Sequence, residues 1–355
     1  MRRLLSIFVA LAVLVLFGAG LILSFSRITD FDLPQGAQQI VFITERGDRL
    51  EGTLIAASAD GPVVLLVHGD GAQDRWSDGG YLPLVNTLVD AGISVFSWDK
   101  PGVGASSGNW LHQSMDNRAD EAASALAAVR QLDGFENRAI GLLGFSQAGW
   151  ALPRVPALTD DVSFLVLIGA AIDWQAQGRY YATVRLEQEG KTPVEIAVEL
   201  TRQAAAHHLW FSGDTTYEAY LASDRAAGRP EGQFMSEDRF RFARVNYREN
   251  ASSDIAGLTL PVLLLSGAKD LNVDAQNTVA VYTSLLQDAH PHSEFHLVPN
   301  ATHSLLSADY LNYQLPDQIP LIAQAKFILS GRDAYEGDVL EVLNDWIDRV
   351  SQTSP

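Results

Sequence analysis

Apolar and polar positions along this chain fall into a repeating rhythm. Gln38–Thr44 and Arg49–Ala57 each alternate apolar with polar residues on either side of Glu45-Arg46-Gly47-Asp48, a spacing and turn chemistry that predict a β-hairpin. Pro62–Gly69 is then a continuous apolar run rich in β-branched residues, as expected of a strand covered on both faces. Tyr81–Gly92 reads as a helix closed by glycine, Ile93–Asp99 as a strand and Met115–Leu132 as an amphipathic helix. Further apolar runs at Ala139–Gly144, Val162–Gly169, Pro261–Gly267 and Ser293–Pro299 read as strands, and Gly337–Val350 as a closing helix. Strands that alternate with helices imply βαβ units and a mostly parallel central sheet with helices on both faces, so the class is α/β. Ligands of such a sheet gather beyond the carboxyl ends of its strands.

The rhythm breaks twice. From about 171 to 253 no strand pattern appears: Glu195–Phe211 is helical and Ser223–Phe240 reads as a polar, glycine-containing connection, which suggests a cap inserted into the α/β unit. At the other break, Arg2 and Arg3 precede an apolar run from Leu4 to Phe25 that contains no charge. About 20 such residues span a bilayer, whereas secretory h-regions run to roughly 7–15. Residues 1–27 are therefore expected to be a transmembrane signal anchor, residues 28–37 a tether, and residues 38–355 the α/β domain with its cap. Two arginines before the run, against Asp30 and Asp32 after it, put the N-terminus in the cytoplasm and the domain in a periplasm or extracellular space; secretion after cleavage is the alternative.

Composition narrows the chemistry. Of the 355 residues 47% are hydrophobic and 19% charged, enough apolar material for a globular core. A formal charge of -18 argues against a nucleic-acid partner, which needs clustered cations. The chain has no cysteine, which removes thiol nucleophiles, thiolate metal sites and disulfides, and no metal or organic cofactor is expected.

A lone serine then stands out. Gly144-Phe145-Ser146-Gln147-Ala148-Gly149 follows the Ala139–Gly144 strand and precedes a helix start, close to the G-x-S-x-G turn that lifts a nucleophile above a sheet. A serine hydroxyl needs a base, and the base an orienting acid, here sought in the chain order Ser, Asp or Glu, His. Asp270 lies just past one strand and His303 in the loop after the last strand. Asp254 precedes its strand and Asp274 lies too far into the next element; His296 is inside a strand, His290 and His292 precede it, and His207 and His208 are adjacent on a helix and face apart. His112 could line an entrance. Oxyanion donors are expected from the backbone N–H of Gln147 and of Asp70, the latter between Gly69 and Gly71, with the Asp70 carboxylate turned away from the pocket.

With these motifs in register the chain resembles the α/β-hydrolase superfamily over roughly residues 38–350. "LLVHGDGAQDR", "WDKPGVGASSG" and "GFSQAGWALP" look like a bacterial serine-esterase group whose usual forms are HGSG-x-x-DR, D-x-R-G-x-G-x-S and G-x-S-x-G-G. The departures are Asp70 for Ser, Pro101 for Arg and Ala148 for Gly. The resemblance implies that Asp99–Ser106 is a structural turn, and Pro153 recurs in the group. Asp74 and Arg75 are expected to form a surface ion pair rather than a pocket mouth. Of the cap aromatics Trp174, Tyr180, Tyr181, Trp210 and Phe211, most are expected in the cap core. The function implied is hydrolysis of a small or lipid-like carboxylic ester through Ser146, His303 and Asp270. A serine peptidase or thioesterase on the same fold, and an anchored non-catalytic binding protein, are the alternatives.

Overall fold

The computed structural model describes residues 27–286 and 289–352. The anchor read at Leu4–Phe25 lies outside them; among the described residues no helix is long and apolar enough to cross a membrane.

Eight strands form one sheet: β1 (Ala37–Ile43), β2 (Arg49–Ile55), β3 (Val63–Val67), β4 (Ser94–Trp98), β5 (Ile140–Phe145), β6 (Phe164–Ile168), β7 (Val262–Gly267) and β8 (Glu294–Val298), in the order β1-β2-β4-β3-β5-β6-β7-β8. The hairpin pairs antiparallel from Ala37 opposite Ile55 to Ile43 opposite Arg49, and β2 also runs antiparallel to β4. All remaining pairs are parallel. In the central strands the two-residue period divides the core. Val63, Leu65 and Val67 face a layer that holds Ala122, Leu126 and Val129 of α2 (Met115–Arg130), while Val64 and Leu66 face Leu84 and Leu88 of α1 (Leu82–Asp90). Burial on both faces explains why these strands read as unbroken apolar runs.

The inserted cap is four helices: α3 (Trp174–Gln188), α4 (Pro193–Phe211), α5 (Tyr217–Ala226) and α6 (Glu237–Asn246). The stretch 223–240 is less irregular than its composition suggested, because it begins inside α5 and ends inside α6. Side-chain caps explain the difference: the Thr216 hydroxyl accepts from the Ala219 N–H at 3.2 Å, and that of Ser236 from the Arg239 N–H at 3.2 Å. The chain returns through α7 (Ser252–Ala256) to β7, then through α8 (Ala275–Leu286) to β8. After β8 an excursion carries α9 (Ala308–Leu311) and α10 (Leu321–Ser330) before α11 (Val339–Ser351) packs Leu343, Trp346 and Ile347 beneath the sheet.

Two further expectations change. No α-helix follows the serine turn: Ser146–Trp150 and Leu152–Ala157 are two 3₁₀ turns, because Pro153 and Pro156 cannot continue an α-helical ladder. Nor is 28–37 a free tether. Asp30 is buried and ion-paired to Arg332 at 3.0 Å, and Phe31 packs edge-on against Phe327 with ring centroids 5.2 Å apart.

Candidate active site

The carboxyl ends of β3, β5, β7 and β8 carry the sequence-selected residues, which meet in two groups: Asp70 with Gln147 beside Ser146, and Asp270 with His303. Ser146 follows β5 immediately, half-buried, with φ at +50°, a left-handed conformation costly for a residue with a Cβ. Gly144 has to be glycine because a Cβ there would stand 2.7 Å from Ala148 Cβ and 2.5 Å from Leu152 Cδ1. The buried methyl of Ala148, where related turns carry glycine, occupies space that Gly144 leaves open.

Asp270 and His303 arrive on loops tied to each other. Lys269 N–H donates to the Ala301 carbonyl at 2.9 Å and Ala268 N–H to that of Val298 at 2.8 Å. The buried Asp270 carboxylate spends Oδ1 on the N–H groups of Asn272 (2.7 Å) and Val273 (2.9 Å) and turns Oδ2 toward His303 Nδ1 at 2.7 Å. A carboxylate only accepts, so Nδ1 carries the proton and Nε2 is left as the basic nitrogen. Burial of the imidazole would lower its pKa, but the charge of Asp270 and its hydrogen bond outweigh that and raise it above the ordinary histidine value. Gly169 at the end of β6, with φ at +57°, makes room for this ring: a Cβ there would lie 2.7 Å from the His303 carbonyl oxygen and 2.9 Å from Nδ1. The other acids and histidines are occupied elsewhere. Asp274 caps α8 through the Asn277 N–H, Asp254 pairs with Arg154, His296 meets Glu294, and His207 packs at a tilt against Trp210 and Phe211. Among the described residues no group of three or more His, Asp or Glu side chains converges as metal ligands would.

The two residues read as oxyanion donors are linked directly. Gly69 lies against the elbow, where a Cβ would be 3.3 Å from Ser146 Cβ, and the Asp70 carboxylate accepts from Gln147 Nε2 at 2.9 Å. That carboxylate is also clamped by Arg239 of the cap, at 3.1 Å and 2.9 Å. Burial would raise its pKa, yet the hydrogen bonds and charge of Arg239, with Lys100 behind, hold it down at about 2. Two buried cations fix the loop from within. Lys100 Nζ donates to the carbonyls of Gly69 (2.7 Å) and Gly71 (2.9 Å); Arg118 donates to the His68 carbonyl (2.6 Å) and to Gln147 Oε1 (2.7 Å). With those carbonyls turned to Lys100 and Arg118, the N–H groups of the loop are directed to its opposite side.

Arg75 does not pair with Asp74. It forks onto the buried carboxylate of Asp99 at 2.9 Å and 2.6 Å and joins the loop after β3 to the 99–106 turn, while Asp74 Oδ1 accepts from the N–H groups of Trp76 and Asp78. In the cap, Trp210 and Phe211 are core, packed with Tyr220, Phe240 and Tyr247. Trp174 packs at a tilt against Trp150 with centroids 4.9 Å apart, and the Tyr180 hydroxyl donates to the Asp270 carbonyl at 2.8 Å. Tyr180, Val184, Lys269, Asp270, Leu271 and Asn312 line a cavity of about 450 Å³ beside the acid. His112 meets Asp238 of α6 at 3.0 Å on the exposed seam between cap and sheet.

Comparison with known proteins agrees with the fold. The family model described as serine aminopeptidase, S33, matches residues 59–309, more than half of the chain. The chain belongs to this family of α/β hydrolases. Among solved structures it is similar to the esterase Pf2001 of Pyrococcus furiosus, at 14% identity and a TM-score of 0.56 over 90% of this chain and 94% of that one. The α/β hydrolase GrgF of Penicillium sp. sh18 aligns at 16% identity and a TM-score of 0.56, over 90% of this chain and 100% of that one. A thermophilic esterase of Thermogutta terrifontis aligns at 18% identity and 0.50, over 88% and 99%. No curated relative matches the chain. At such identities the structural likenesses carry the fold, and the S33 match makes the protein a hydrolase.

Sequence reasoning missed Lys100, Arg118 and Arg239. Arg118 was visible in principle, since it shares a helical stripe with Ala122 and Ala125, and a charge on a buried stripe has to meet a partner. Arg239 sits on a polar helix 169 positions from Asp70, and nothing local marks it.

Proposed function

We propose that this S33 hydrolase cleaves carboxylic esters through an acyl-enzyme. His303 Nε2 takes the proton of Ser146 as Oγ bonds to the ester carbonyl carbon, and Asp270 holds the ring and stabilises the imidazolium. The carbonyl oxygen, now negative, is received by the backbone N–H groups of Gln147 and Asp70. Collapse breaks the bond to the alcohol, which leaves with the proton from His303; water then repeats the sequence and releases the acid. The observation that carries this reading is a serine held at φ +50° at the end of β5 while a buried Asp270 fixes the tautomer of His303 from β7.

The description of the family as serine aminopeptidases favours a second reading, hydrolysis of an N-terminal peptide bond. An aminopeptidase needs a free carboxylate for the substrate ammonium group, and Asp70, which follows Gly69 against the serine turn, is already paired with Arg239. Esters are therefore preferred. Hydrolysis of p-nitrophenyl esters of graded chain length, beside aminoacyl p-nitroanilides, decides between them. Ester turnover that disappears in Ser146→Ala is expected; turnover of the anilides alone would establish the peptidase. A folded protein that turns over neither substrate and takes no phosphonate label would be a binding protein. We place the chain at a membrane through Leu4–Phe25, with the hydrolase domain on the outer side.

A further inference from the structure

The excursion between His303 and α11 presents a helix turned the wrong way out. In α10, Leu321 and Ile322 are 82% and 81% exposed, and Ile328 and Leu329 46% each. With exposed Ala325 these residues fall at i, i+4 and i+7 spacings, so they form one stripe along the outer face. The inner face is modest: Ala323 is buried, and Phe327 packs on Phe31. The helix contains no acidic residue in a chain of net charge -18, and its one cation, Lys326, lies over the Tyr310 ring at 3.5 Å. A monomeric surface rarely leaves such a stripe to water.

The position of the stripe says what covers it. Arg27, the first described residue after the apolar run, pairs with Asp333 at 2.8 Å, three residues beyond the end of α10. Asp30 and Phe31 fasten the next turn to Arg332 and Phe327. If Leu4–Phe25 enters a bilayer, it does so beside this helix. We propose that the outer face of α10 is a membrane-docking surface, with Leu321, Ile322, Ile328 and Leu329 inserted at the headgroup boundary; this rests on the reading of Leu4–Phe25 as an anchor. The acidic chain gains nothing from anionic lipid, so contact is through apolar burial and persists at high salt. The same excursion reaches the site: Gln314 donates to the carbonyls of Tyr181 in the cap and Leu271 beside Asp270, at 2.9 Å and 2.8 Å.

Because the chain lacks cysteine, single labels can be placed without background. The full chain, as Ile322→Cys or Ile328→Cys carrying an environment-sensitive NBD dye, is reconstituted in phosphatidylcholine vesicles, with Val198→Cys on α4, 65% exposed, as the comparison. Flotation with the vesicles reports the anchor. The expected result is a blue-shifted emission at 322 and 328, quenched several-fold more by spin-labelled phosphatidylcholine than at 198, and unchanged by high salt. Flotation with water-like, unquenched dye at 322 and 328 would overturn the docking face and leave the anchor standing. A blue shift without lipid quenching would mean that protein covers the stripe, a second copy or the chain's own apolar run, and would also overturn it. A chain that does not float would overturn both readings.

Discussion

At the scale of single residues the site is a set of charges whose states are set by neighbours. The raised pKa of His303 has a signed consequence: the free base is needed for attack, so activity should fall as pH drops through a value above 6.5. In Asp270→Asn that acid limb should move to lower pH, because the charge that raised the pKa is gone, while kcat drops on the order of 10⁴-fold through loss of the tautomer; a pH profile of kcat/KM for both proteins checks this. Asp70 raises a different question, since an unpaired carboxylate beside an oxyanion would oppose catalysis. Arg239 meets it with two hydrogen bonds from a half-exposed position, where an ion pair adds little to stability. Arg239→Ala should therefore slow kcat by roughly tenfold, about 1.4 kcal/mol of barrier, with almost no change in melting temperature. Asp70→Asn in the same chain should restore most of the rate. Equal losses in stability and rate would instead mark the pair as structural.

At the scale of elements, loop ends are fitted to one another with little slack. Gly169 is the sharpest case: alanine would bring a Cβ onto the His303 backbone at a positive φ, and the left-handed conformation alone costs about 1–2 kcal/mol. Gly169→Ala should lower the urea midpoint and reduce kcat more than KM, because the ring of His303 is what moves. Arg118→Leu should be worse for stability, since it leaves the His68 carbonyl and Gln147 Oε1 buried without a donor, at about 1–3 kcal/mol each; equilibrium unfolding measures it. Most of this layer was legible. The eight strands, the closing helix and the bounds of the cap follow from periodicities of two and 3.6 that burial imposes directly. The pairing of Asp270 with His303 was legible too, because two loops beyond strand ends are local features in a fixed chain order. What escaped were pairings between distant segments: Arg239 with Asp70, Arg75 with Asp99 in place of Asp74, and the ordered turn at Asp30. A partner's identity depends on how two surfaces meet, and neither segment carries that alone.

Over the whole molecule the surface is uneven in a way that composition conceals. Residues 171–253 carry twelve acidic against ten basic side chains, so most of the net charge of -18 lies outside the cap, while the three cations at the Gly69–Gly71 loop, Lys100, Arg118 and Arg239, converge from the loop after β4, from α2 and from α6 on one end of the sheet. Burial pushes the Lys100 ammonium well below its usual pKa, with the charge of Arg118 adding to the effect. The cap contributes Arg239, Asp238 and Tyr180 to this end, so its position and the chemistry beneath it are not separable. The docked N-terminal turn has a parallel effect at larger range. Residues 28–37 contribute a buried Asp30 and a packed Phe31 where the sequence suggested slack. Arg27 is therefore held at a fixed point on the domain, paired with Asp333. In the anchored form proposed above, a leash would let the pocket sample a hemisphere of orientations, whereas a mount of this kind would give it one height and one aspect above the bilayer, and ester substrates would then be selected by where their scissile bond lies.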